Sequence, residues 1–296
     1  MKKVNLKVHL AMLLVAFLYG TNYAAVKIIT PSLIAPFGFL IFRVGLAGVL
    51  FWIIGIFHSQ KVNWSVDGLR IISCAIFGVG INMLFFFKGL SLTSSIHGSI
   101  IMTLTPILVA ILAAILLKER LAKSRITGLI LGLAGASVII LQSGDNTSQF
   151  SLLGDVLILL NALSFGTYLV LAKPLLEKYA PITLVKWFFL FGFIFLAPFG
   201  YSEVAEISWT SFNLIHWFSF FFVIFAVTII AYITNIWAMK KVSPSTVGAY
   251  IYLQPVFATI LGIGFMNESL NFQTIFGAIL VFLGVAMAVK KKSNSI

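Results

Sequence analysis

Long runs of apolar residues follow one another along the chain, each about as long as a bilayer is thick, with short polar links between them. They lie near 9–27, 34–57, 71–91, 96–117, 124–142, 152–172, 182–200, 212–238, 245–266 and 270–289. A transmembrane α-helix needs roughly 20 such residues at a rise of about 1.5 Å each. Barrel strands alternate polar with apolar positions, and these runs do not, so the pattern predicts ten membrane-spanning helices and no sheet. The links leave no room for a separate soluble domain.

Composition agrees. Of 296 residues, 60% are hydrophobic and 9% charged, whereas a soluble domain carries about 25% charged residues. Too little polar surface exists to cover a water-soluble globule, and the main solvent must be lipid. The single Cys74 excludes an internal disulfide and reads as a small buried apolar residue. A net charge of +12 would suggest nucleic acid in a soluble protein, but here the basic residues sit in clusters between apolar runs, so no nucleic acid is expected. With the N-terminus in the cytoplasm, sixteen of the twenty basic residues fall inside, including Lys2, Lys3, Lys61, Lys118, Arg120, Lys240 and Lys290. The outer links carry Asp145, Glu203, Glu206 and Glu268 instead. That bias sets the orientation, and an even number of spans returns the C-terminus to the cytoplasm. The expected location is the inner, cytoplasmic membrane, multi-pass, with the first run belonging to the fold rather than to a cleaved signal peptide.

The chain also repeats itself. "PILVAILAAILLKERL", Pro106 to Leu121, ends an apolar run in a burst of charge, and a shift of 149 carries Pro106 onto Pro255, Glu119 onto Glu268, Leu121 onto Leu270, Gly128 onto Gly277 and Gly135 onto Gly284. A shift of 146 relates Gly20, Thr21 and Lys27 to Gly166, Thr167 and Lys173, and one of 145 relates Ala35-Pro36 to Ala180-Pro181. Scarce residues in register are poorly explained by apolar bias. Two halves follow, 1–143 and 150–296, with five spans each. Because five is odd, the second copy enters from the opposite face, giving two inverted five-helix repeats around a central cavity, an arrangement typical of secondary transporters.

These features resemble the EamA family of the drug/metabolite transporter (DMT) superfamily. The likeness rests on the duplicated five-helix unit, "GTNYAAVK" at the end of span one, Arg43 in span two and "TP…KERL…G…LG..G" across spans four and five. It covers the whole chain and is specific for fold but weak for substrate. It implies a central cavity lined mainly by spans 1, 3, 4, 6, 8 and 9, and a secondary transporter exporting amino acids or related amphipathic metabolites by alternating access. The second half departs from the pattern: "NES" stands for "KER", and Trp187 or Phe188 stands where Arg43 would map.

Several residues are expensive in lipid and therefore informative. Arg43 lies deep in span two, where a basic residue costs about 2.5–3.5 kcal/mol on insertion scales; it either pairs structurally with a carbonyl or polar neighbour or attracts an anionic solute group. Asn22, Tyr23, Asn82, His97, Thr103, Tyr168, Tyr232, Asn235, Trp237, Tyr252 and Gln254 place amides and aromatics on the spans that the resemblance assigns to the cavity. Each taken alone suits a helix–helix hydrogen bond; as a set with Arg43 they outline a substrate-binding path for an amphipathic solute. Pro106 and Pro255 are candidate hinges that bend spans four and nine. Gly128, Gly132 and Gly135, with Gly277 and Gly284, form small faces for close packing. Lys186 reads as snorkelling to the inner surface, and Lys27 and Lys88 as snorkelling outward or forming a cationic entrance.

No Gly-rich phosphate loop, HExxH, CxxC or nucleophile elbow is present, and the eight acids fall at span ends or in links. No catalytic residues, metal or cofactor are expected, and the chain reads as a non-enzyme. Coupling is open between a titrating Asp155, Glu268 or His97 and facilitated diffusion. The expected partners are a small-molecule solute, the lipid bilayer and, in a homodimer, a second copy. A membrane-embedded enzyme acting on lipid-linked substrates and a non-transporting membrane sensor are the alternatives.

Overall fold

The computed structural model describes residues 6–116, 123–142, 151–239 and 250–289, and these are almost wholly helical with no strand among them. Helix α1 spans Leu6–Ile29, α2 Pro36–His58, α3 Trp64–Ala75, α4 Ile81–Leu92, α5 Ser95–Met102, α6 Thr105–Leu116 and α7 Lys123–Gln142. In the second half α8 spans Leu152–Lys178, α9 Pro181–Ala205, α10 Leu214–Phe221, α11 Ala231–Met239, α12 Gln254–Met266 and α13 Phe272–Val289. Two π-helical segments, Ile76–Gly80 and Phe222–Ile230, join α3 to α4 and α10 to α11. Six helical stretches are long and apolar enough to cross a bilayer, and four shorter apolar ones lie among them.

The outer surface explains the solvent. Leu10, Phe57, Leu69, Phe218 and Phe272 are among many large apolar side chains left exposed, while Arg43, Asp155, His97 and Asn161 are buried. A water-soluble protein rarely exposes apolar patches on this scale; with lipid outside, the distribution is the low-energy one. The third helical span begins earlier than hydropathy suggests, at Trp64 rather than near 71. Asp67 sits in that first turn, where a carboxylate complements the helix dipole, and accepts hydrogen bonds from Lys178 Nζ at 2.9 Å and Tyr179 Oη at 2.8 Å.

Contacts between helices fall into matching sets. Helix α7 packs most extensively on α13 and α2 on α9; α4 packs on α8 as α10 and α11 pack on α1; α1 packs on α12 as α8 packs on α6. Exchanging the first group of helices with the second leaves this pairing unchanged. The α7–α13 seam is built on glycine. A Cβ at Gly135 would lie 2.6 Å from the Gly277 carbonyl oxygen, and one at Gly284 would lie 2.5 Å from the Gly128 carbonyl oxygen. These are the same contact carried through a shift of 149, and a methyl group fits at neither place.

Pro106 and Pro255 correct an expectation. Each lies in the first turn of an α-helix rather than in the middle of one. Helix α5 stops at Met102 and α6 starts afresh at Thr105, so Pro106 occupies the first turn of a new helix. A 3₁₀ turn over Tyr250–Leu253 likewise precedes α12, with Pro255 at its start. A first-turn amide needs no intrahelical acceptor, so proline costs least there. The two prolines stand at equivalent points of the sequence repeat.

Candidate functional site

Arg43 organises the interior. Helix α2 carries it into a position only 5% exposed, where Nε donates to Thr228 Oγ1 at 2.8 Å and the guanidinium carbon lies 5.0 Å from the Phe87 ring centroid. Thr228 belongs to the π segment before α11 and donates in turn to the Val223 carbonyl, five residues back, at 2.8 Å. The wider π turn therefore supplies the hydroxyl that Arg43 meets. Such segments recur at functional sites in other helices. The three described ion pairs join Lys27 to Glu268, His97 to Asp155 and Lys178 to Asp67, so no carboxylate neutralises Arg43 among the described residues.

Tyrosines from both halves stand near it. Tyr19 on α1, Tyr168 on α8 and Tyr232 on α11 lie within electrostatic range of one another, with Arg43 near Tyr19 and Tyr232 and Asn235 within hydrogen-bonding reach of Tyr19. Buried oxygens of Thr21, Asn22, Asn235 and Tyr252 have no hydrogen-bond partner among the described residues. A buried polar atom left unmatched costs about 1–3 kcal/mol, and these lie on α1, α11 and the turn before α12, with others at Trp52, Ser95 and Asn161.

The structure sorts the remaining sequence candidates. Asn82 and Asn161 form a clamp between α4 and α8: Asn82 Nδ2 donates to the Asn161 carbonyl at 3.3 Å and Asn161 Nδ2 to the Asn82 carbonyl at 2.7 Å. Tyr23 packs edge-on against Phe86. Thr103 donates to the Ile100 carbonyl at 2.6 Å and fills the break between α5 and α6. Tyr168 presses on the first π segment, where a Cβ at Gly78 would lie 2.6 Å from its ring. Gln254 begins α12 beside Gly20. Trp237, at 37% exposed, stands at the outer surface of the bundle. Tyr19 and Thr228 carry more of the geometry than periodicity assigns to them.

His97 is not a lone imidazole. Its Nδ1 lies 3.2 Å from Asp155 Oδ2 and its Nε2 3.2 Å from Thr274 Oγ1, while the Thr93 hydroxyl donates to Asp155 Oδ1. Asp155, which reads from sequence as a span-end acid, is wholly buried. Glu268 is also drawn inward: it accepts from the backbone N–H groups of Ser95 at 2.8 Å and Ile96 at 3.1 Å, with Lys27 Nζ at 3.6 Å. The sequence departure "NES" explains this. Asn267 adopts φ 53°, a left-handed cap on α12, and asparagine tolerates that conformation better than most residues. The chain then doubles back, with Glu268 N–H donating to the Gly262 carbonyl at 3.0 Å. Lys27 donates to the Thr93 carbonyl at 2.8 Å rather than reaching into solvent. Lys186, expected to snorkel, is buried, donates to Ser59 Oγ at 2.8 Å and lies 4.6 Å from the Trp52 ring centroid.

A bundle with lipid-facing apolar walls and a polar interior shared between its halves is the architecture of a membrane transporter. The profile of the EamA-like transporter family matches residues 6–141 and again residues 152–290; the chain belongs to this family, within the drug/metabolite transporter superfamily. A protein of Archaeoglobus fulgidus named an uncharacterized transporter is 28% identical over 93% of this chain and 95% of its own length. The Bacillus subtilis transporter YyaM is 27% identical over 96% and 94% respectively, and a WAT1-related chloroplast protein of Arabidopsis thaliana is 24% identical over 94% and 68%. A crystal structure with 20% identity superposes with a TM-score of 0.61 over 94% of this chain and 97% of the other, a likeness of fold.

Proposed function

We propose that this transporter is a ten-span carrier of two inverted five-helix repeats, residues 1–143 and 150–296, which exports a small amphipathic metabolite across the cytoplasmic membrane by alternating access. Both termini face the cytoplasm, as the basic links require. The reading of the repeats draws on the twofold family match, the exchangeable helix pairing, the Gly135–Gly277 and Gly284–Gly128 contacts and the equivalent first-turn places of Pro106 and Pro255.

The observation that carries the substrate class is Arg43, buried, charged and held from the second half by one bond to Thr228. An anionic group would offset its charge, which no carboxylate among the described residues does. Adjacent amide and hydroxyl oxygens suit an ammonium group, and the surrounding tyrosines suit an apolar side chain. A zwitterionic amino acid or a close relative meets all three. The test is counterflow in proteoliposomes with labelled amino acids and, as controls, amines and sugars of similar size. Saturable exchange of a carboxylate-bearing solute is expected; exchange confined to solutes without an anionic group would overturn the assignment.

A further inference from the structure

The end of the bundle where α2 finishes and α9 starts holds a pocket of about 360 Å³, whose lining includes Ser59, Gln60, Lys61, Trp64, Lys186 and Trp187. It stands apart from the Arg43 chamber: Gly55, against which the Lys186 stem packs, is 12 positions beyond Arg43 on α2, about 18 Å at the helical rise. The walls are held in place by the chain itself. Gln60 N–H donates to Thr183 Oγ1 at 2.8 Å, Ala180 N–H to Gln60 Oε1 at 2.6 Å and Asn63 N–H to Tyr179 Oη at 3.2 Å, so the link after α2 is pinned to the start of α9. Trp52 and Trp64 each meet Trp187 edge to face, at 4.9 Å and 4.7 Å between centroids. Glycine leaves the slot for the lysine, since a Cβ at Gly55 would lie 2.8 Å from Lys186 Cδ. The Lys186 ammonium donates to Ser59 Oγ at 2.8 Å and stands 4.6 Å from the Trp52 and 5.5 Å from the Trp187 ring centroid.

The chemistry of the lining selects an anion. Among the described residues it brings two lysines and no acid. Asp67, the acid closest to it along the chain, is taken up by Lys178 and Tyr179. An ammonium has three donors, and phosphate oxygens accept from ammonium, hydroxyl and amide groups alike. A choline headgroup, which aromatic rings attract, would meet the Lys186 ammonium already standing over Trp52 and Trp187. The surroundings select a lipid. Indoles concentrate at membrane interfaces, and Ile56 and Phe57 before the link and Val66 after Trp64 are exposed, an apolar surface for acyl chains. The other end of the α2–α9 pair is built differently. There Glu203 Oε2 accepts from Gly38 N–H at 2.7 Å, and a shift of 145 carries Lys186 onto Ile41, so the repeat does not reproduce the lysine on the opposite face.

We infer that this pocket seats the phosphodiester headgroup of an anionic phospholipid of the phosphatidylglycerol type. Lys186 binds the phosphate from within, Lys61 covers it from the exposed mouth, and Ser59 and Gln60 stand beside it. Basic pockets between helices at the cytoplasmic end of a bundle recognise lipid headgroups in this way. The site is separate from the solute path. Its place in the cytoplasmic leaflet rests on the orientation proposed above; the binding itself does not.

The test counts bound lipid. Full-length protein, stripped of lipid in a mild detergent, is titrated with phosphatidylglycerol or with phosphatidylcholine of the same acyl chains, and retained lipid is read by native mass spectrometry. The first phosphatidylglycerol is expected to bind about tenfold more tightly than the first phosphatidylcholine. Lys186→Gln combined with Lys61→Gln should abolish that preference. Lys61→Gln alone, an exposed change that leaves the buried ammonium in place, should lower it about threefold. Lys173→Gln removes the same charge from an exposed position on α8 outside the lining and should leave the preference intact. Equal retention of the two lipids by the unaltered protein overturns the inference. So does a preference that Lys61→Gln does not lower, or one that Lys173→Gln lowers as much, which would report overall charge alone. Displacement of phosphatidylglycerol by glycerol phosphate at a matching concentration would make the pocket a site for free phosphate esters and overturn the lipid assignment. Lipid is counted without transport, so absent solute exchange would sink the carrier reading and spare this site, and a lost lipid preference would do the reverse.

Discussion

At the scale of single residues, burial in lipid separates charges that can be read from sequence from those that cannot. Arg43 is legible because nothing around it in the chain is charged; its partner Thr228, 185 positions away, is set by tertiary packing and leaves no local trace. Asp155 and Glu268 are visible as scarce acids, but hydropathy places a residue along the membrane normal and says nothing of whether it turns inward. That is why both read as span-end groups although Asp155 is wholly buried and Glu268 faces the start of α5. The amide side chains show the converse. Asn82 reads as a pathway group, but its side chain and that of Asn161 are used on each other's backbone. A prediction belongs here. Replacing Arg43 by glutamine keeps a donor for Thr228 and removes the charge, so the folded yield should hold while the solute's half-saturation concentration rises about 10- to 100-fold, the size of a lost charge-assisted hydrogen bond. Counterflow over a concentration series measures it, and an unchanged value would remove Arg43 from the binding site.

At the scale of elements, the sequence shows where helices lie better than where they stop. Proline in an apolar run suggests a kink, but the chain ends one helix and begins another, since a proline is accommodated most cheaply in a first turn. The π segments at Ile76–Gly80 and Phe222–Ile230 have no composition of their own and so leave no signal in the sequence. They matter because each frees a backbone carbonyl for a partner: Ser164 Oγ donates to the Phe77 carbonyl at 2.7 Å. The glycine faces are legible, because three small residues at helical spacing leave one explanation, close approach of another helix. Gly135→Leu should therefore break the α7–α13 seam, lowering the apparent melting temperature and monodisperse yield in detergent; a variant with wild-type thermal stability would contradict that close packing. Pro106→Ala restores a backbone donor beside the break before α6. If that break is a hinge in transport, counterflow should slow about 3- to 10-fold, the effect of roughly 1 kcal/mol on a rate-limiting rearrangement, with thermal stability retained. Full activity would make the break a static feature.

At the scale of the whole molecule, the repeat in the sequence and the exchange of helix pairs in the fold point the same way. Rare residues carry the signal in the first, and Gly135 on Gly277 with Gly284 on Gly128 carries it in the second. The charge burst that ends Pro106–Leu121 lies outside the described residues; its counterpart near Glu268 is described, and there the second half has turned a helix end into a contact with the first. The sidedness proposed here comes from the basic residues that the sequence gathers in alternate links. The most direct test of the inverted arrangement uses Lys61 and Glu206, exposed residues in the links after α2 and α9 and related by a shift of 145. In intact cells expressing the Cys74→Ser protein, a membrane-impermeant maleimide should label Glu206→Cys at once and Lys61→Cys only after the membrane is opened. Labelling of both from the same side would contradict inverted repeats and the transport mechanism built on them.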